Sequence, residues 1–158
     1  MCAKQAYSAG GNLPLPLKTY VELDLPGHLY VEALAAGSFR QDNWSHLLLH
    51  SSALLHMGLS RGNDRLKEVA SNCIWLLKRL ANGYTTTGKW SATEHEIKLL
   101  GLYLTEAGWH YRQIPRGKVH ESRQIAAERV VAIAGEVLAG DVAIDKLTQP
   151  DTRGFSTQ

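Results

Sequence analysis

A chain of 158 residues, 44% apolar and 20% charged, fits one domain and is long enough to bury a core without disulfides or metal. Its 17 basic and 15 acidic side chains leave a formal net charge of +2, which does not mark the whole molecule as a binder of nucleic acid or anionic membrane; only local clustering can do that. Cys2 and Cys73 form no disulfide framework or Cys-x-x-Cys motif, and no apolar run approaches the roughly 18 residues of a membrane span, so a reducing, cytoplasmic setting without membrane contact is expected.

Residues 1–12, "MCAKQAYSAGGN", are small and polar and read as a flexible tail. In "LPLPL", residues 13–17, alternate prolines enforce an extended strap whose leucines pack along the domain; a ligand for proline-reading modules is the alternative. The next region, 18–37, contains Pro26, which either kinks a long helix or opens a shorter one over 26–36 closed by Gly37. A second helix is expected from Asp42 to Met57, with Asp42 or Asn43 accepting at its start and Gly58 ending it.

The third helix spans about 63–82, capped by Asn63 or Asp64 and stopped at Gly83. Its core stripe is Leu66, Val69, Ala70, Cys73, Leu76, Leu77 and Leu80, which makes Cys73 a buried structural thiol. "YTTTGKW" (84–90) reads as a loop, and Ser91 with Glu94 matches a capping box. The stripe Ile97, Leu100, Leu104, Ala107, Tyr111 follows until Pro115 breaks it. A fifth helix over about 119–139 presents Ala126, Ala127, Val130, Ala134, Val137 and Leu138. No alternating run supports a strand and no internal repeat is evident. The fold class expected is all-α: one bundle of four to five helices over 13–140, with a second flexible tail at 141–158.

"GHLYVEALAAG", "LLLHSSALLHMGLSRG" and "TTTGKWSATEHEIKLLGLYLTEAGWHYRQ" share their order of caps, turns and stripes with other proteins. On these, residues 27–114 resemble small helical proteins encoded on proteobacterial phages, plasmids and integrative elements. The resemblance implies an accessory protein of a mobile genetic element and carries over no catalytic residue.

"SHLLLHSSALLHMG", residues 45–58, sets three histidines in an apolar helix. At 100° per residue, Trp44, Leu47, Ser51, Leu54, Leu55 and Gly58 form the core side. His46 and His50 share its flank, and His56 points nearly away from the core. Histidines four apart can ligate zinc, but the protease motif puts a glutamate directly after the first; here Leu47 stands there. A third ligand would have to come from His28, Glu94, His95 or His110. His46 and His50 therefore read as boundary residues with no metal or other cofactor, and metal binding through them is kept as a second alternative function.

Nothing else assembles catalysis. Ser51 and Ser52 follow His50 but neighbours on a helix do not face each other, and there is no nucleophile elbow or phosphate loop. Glu94 and Glu96 lie about 200° apart. A non-enzyme is expected. Around residues 110–124 charge is uneven: Arg112, Arg116, Lys118 and Arg123 stand against one acid, Glu121. That basic turn supports the first alternative, a nucleic-acid-binding regulatory protein, with Trp109 and Tyr111 nearby for stacking. Of four tryptophans, Trp44 falls in a core stripe. Trp75, Trp90 and Trp109 lie at a stripe margin or in a loop, off register as interface anchors are. They predict contacts with another protein or with a second copy, the latter as a two-fold dimer.

Overall fold

The computed structural model describes residues 11–137. Cys2, most of the predicted N-terminal tail and the segment 141–158 lie outside the described residues, as does Leu138. Among the described residues the chain is an all-α bundle of five helices: α1 (Leu17–Ala36), α2 (Gln41–Arg61), α3 (Asp64–Thr87), α4 (Glu94–Tyr111) and α5 (Arg116–Val137).

The architecture follows from α2, which touches every other helix, chiefly α3 and α5. Every residue from His50 to Gly58 is buried. A helix buried all round belongs at the centre of a bundle, and Leu47, Leu48, Leu54, Leu55 and Met57 all lie in its core. This corrects the expectation for His56, which is only 2% exposed and meets the Ser122 hydroxyl of α5 at 2.9 Å through Nδ1. The helical wheel assumes one solvated face; α5 covers that face.

Several boundaries move for physical reasons. α1 runs as one helix with Pro26 inside it, and Gly37 at φ 77° closes it, with the Ser38 N–H bonded to Ala33 O at 2.9 Å. α2 passes through Gly58 and stops at Gly62, φ 64°, because Gly58 serves packing instead: a Cβ there would lie 2.7 Å from the Lys67 backbone nitrogen. α3 passes Gly83 and ends at Gly88. Its added turn is held by Thr85, Thr86 and Thr87 hydroxyls donating to the carbonyls of Asn82, Asn82 and Gly83, and by Tyr84 stacking on Trp90 with ring centroids 4.3 Å apart. Trp90 in turn stacks on Trp44. The capping box at the start of α4 is Thr93 with Glu96, not Ser91 with Glu94; the two candidate pairs share one spacing in sequence, and the packed start of the helix selects the later.

The proline strap holds in part. Leu15 is buried while Leu13 and Leu17 are exposed. Pro14 bridges Pro115, and the Arg116 N–H donates to the Leu13 carbonyl at 2.8 Å, so the strap is seated on the α4–α5 turn.

Cys73 lies in the core as expected, 0% exposed. Burial pushes its thiol up to about 12, and the neighbouring Ser51 hydroxyl opposes this only weakly. Thiolate is the reactive form. In a Cys2→Ser chain, an aromatic disulfide reagent at pH 8 should therefore label no thiol in native protein and one after denaturation. Labelling of the native chain within minutes would show that the core opens around Cys73.

Candidate functional site

Two surfaces carry the chemistry of this bundle. The first is the outer face of α3 and α4. Arg65, at the start of α3, grips Glu106 near the end of α4 through two bonds. Arg79, toward the end of α3, donates to Glu96 at the start of α4 at 2.6 Å. The pairs set the helices antiparallel, and the Arg65 guanidinium holds the Glu106 carboxyl below the usual carboxylate range. Between the pairs the core stripe of α3 faces α2, which leaves Trp75 58% exposed with the Arg79 guanidinium 6.0 Å from its ring. On α4, Trp109 is 68% and Leu102 59% exposed. Leu99, Leu102, Tyr103 and Trp109 line an open groove of about 340 Å³ beside Arg65 and Glu106.

The second is a polar cluster between α1, α2, α4 and α5. Asp24 meets His28 at 3.3 Å and faces the tyrosine pair Tyr20 and Tyr111, whose ring centroids lie 5.2 Å apart. Tyr111 is 1% exposed; its hydroxyl points toward Asp24 without a hydrogen bond of good geometry. Burial first, and then the Asp24 charge, raises both tyrosines above their ordinary range. His50 stands edge-on to Tyr111 at 5.7 Å and accepts at Nδ1 from an Arg123 N–H at 3.4 Å. Burial, followed by the charges of Arg123 and His28, lowers His50 to about 3. Burial also lowers Arg123.

His46 and His50 do open on one cleft, of about 250 Å³, but they have different partners. The exposed His46 stacks on Tyr30 at 5.7 Å, and the Tyr30 hydroxyl lies 3.5 Å from its Nδ1. Among the described residues no group of three His, Cys, Asp or Glu side chains lies close enough to hold a metal ion. The possible third ligands are placed elsewhere: His28 is on Asp24, His110 is between Asn63 and Glu106, and Glu94 and His95 are exposed at the start of α4.

The four cations of the basic turn likewise go to separate neighbours. Arg112 lies over the Tyr20 ring at 5.1 Å, and Lys118 pairs with Glu121 at 2.7 Å. Arg116 lines a hollow of about 170 Å³ with His120, and Arg123 turns into the His50 cleft. Tyr111, buried, offers no stacking surface.

Sequence reasoning missed one surface. Leu17, Val21, Leu25 and Leu29 are exposed along the outside of α1. Their spacing of four is a visible signal, and it belongs to the longer of the two helices that Pro26 allows. Asp24 and Tyr20 lie on the same stretch and were passed over with it. Among the described residues no helix is long and apolar enough to cross a membrane. Compared with known proteins, the chain matches no family model, no curated protein and no solved structure.

Proposed function

We propose that this chain is a non-enzymatic accessory protein of a mobile genetic element that works through protein–protein contacts and self-associates through the outer face of α3 and α4. The mobile-element part rests on the resemblance over residues 27–114. The observation that carries the binding part is the exposure of Trp75, Leu102 and Trp109 on two adjacent helices. Soluble monomers keep such apolar patches small, and aromatic rings at the centre of an interface supply much of its energy.

A second copy is the occupant that the rim favours. Arg65, Arg79, Glu96 and Glu106 are already paired within the chain, so the patch is bordered by both signs with little net charge. Two such faces related by a two-fold axis bury each other without like-charge repulsion. Light scattering at micromolar concentration should return twice the chain mass. Trp75→Ala and Trp109→Ala should each raise the dimer dissociation constant at least tenfold while helical circular dichroism is retained. A monomeric parent protein, with both rings freely quenched by acrylamide, overturns the reading.

A further inference from the structure

Arg123 raises a question that self-association does not answer. It is half-buried on α5, and among the described residues no carboxylate pairs with it; its hydrogen-bond partner is His50, at 3.4 Å. His50 has no negative charge to give. A guanidinium withdrawn from water costs free energy unless an anion or several acceptors compensate it. It presents five N–H donors in a fork suited to a carboxylate, and one of them is accounted for by His50. Arg123 also opens on a cleft of about 250 Å³ between α1, α2 and α5.

We propose that this cleft binds a small organic monocarboxylate, with the anion on Arg123 and an apolar body against Leu23, Pro26 and Leu47. The lining selects that class. Leu23, Pro26, Leu47 and Leu49 give it an apolar side, and the half-buried Tyr30 and the exposed His46, whose hydroxyl and Nδ1 lie 3.5 Å apart, also line it. The volume lies just under the usual range for small-molecule sites, so it suits a ligand of fragment size. A dianion such as phosphate fits poorly: one guanidinium matches one negative charge, and Glu22 also borders the cleft, where its repulsion grows with the charge of the ligand. His50 acts as a positioning residue. Neutral, it accepts from Arg123 and fixes the guanidinium plane without cancelling its charge, so the cation remains available to the ligand.

Benzoate and its neutral isostere benzamide are the probes, titrated into the full chain and followed by amide and side-chain NMR shifts. Benzoate should saturate, with shifts grouped on α1, α2 and α5 around Gly27, Leu47 and Arg123, and should bind at least tenfold more tightly than benzamide. Arg123→Gln should abolish that preference, and Arg123→Lys should retain part of it. Equal affinity for the two probes on the parent chain overturns the proposal without recourse to any variant, as does the absence of a saturable shift. Undiminished benzoate binding by a folded Arg123→Gln chain overturns it too. The Trp75 and Trp109 variants should bind benzoate like the parent, so the outcome is independent of the dimer test.

Discussion

Gly58→Ala should destabilise the protein by about 2 kcal/mol, whereas Gly83→Ala should stabilise it by about 0.5–1 kcal/mol. Both glycines lie inside long helices, where alanine has the better intrinsic propensity by roughly 1 kcal/mol. On propensity alone both changes are gains. At Gly83 nothing stands within 4 Å of an added Cβ, so the gain survives. At Gly58 the Cβ meets the Lys67 backbone, with N at 2.7 Å and Cα at 3.0 Å. Backbone cannot swing aside as the end of a side chain does, so α2 and the start of α3 must separate, and overpacking of this kind costs about 1–3 kcal/mol or more. For a chain of this size the melting temperature should fall by about 4–8 °C in Gly58→Ala. A rise in melting temperature for Gly58→Ala would mean that the α2–α3 corner is looser than described.

Acid should weaken the fold through His50. In the unfolded chain this imidazole takes up a proton near its ordinary value of 6.5; in the folded chain it does so only near about 3. Between those values the unfolded state holds more protons, so stability rises with pH. His50's contribution is complete above 6.5 and is lost progressively as pH falls toward 3. At pH 5 the loss is about 2 kcal/mol. Burial is the main reason the charged form is refused, and the Arg123 guanidinium from α5 and His28 from α1 add to it, while the Tyr111 ring from α4 covers His50 edge-on. Of the carboxylates nearby, Asp24 is engaged with His28, and Glu22, which borders the same cleft from α1, lies 3.9 Å from Lys18. Denaturant midpoints measured at pH 7 and pH 5 should differ less in His50→Gln than in the parent. An equal pH slope in the two proteins would show that the imidazole is already charged in the folded state.

Much of the fold was legible because each helix announces itself through caps and stripes. Asn63 accepting from Leu66, Gly37 in the left-handed region and the stripe from Leu66 to Leu80 all read correctly from local pattern. Legibility failed where a residue has two uses. Gly58 and Gly83 have the chemistry of a helix stop, yet one serves close approach and the other is simply tolerated; the stops are Gly62 and Gly88, and only tertiary packing separates the cases. His56 was misplaced for a similar reason, since a wheel reports one face and cannot show a second neighbour. The His50 cluster was half visible. His46 and His50 stood out by spacing, but Asp24, Tyr20 and Arg123 come from α1 and α5, and no periodicity links residues that far apart in the chain. Arg123 looked like one charge in a basic run, and its neighbours in space differ from its neighbours in sequence.

The enclosure of α2 also limits how this protein can change in length. In a helix with one wet face, a single-residue insertion turns everything beyond it by 100°, and part of the misfit is absorbed where side chains rotate into water. α2 has no wet face between His50 and Gly58. An added residue there would swing leucines toward the space of His56 and Ser122 on α5, and polar groups toward the leucine stripe of α3, so neither side could accept its new neighbour. Variation in length is therefore confined to the connections and to the ends of the outer helices, and α2 fixes the register against which the other four are set.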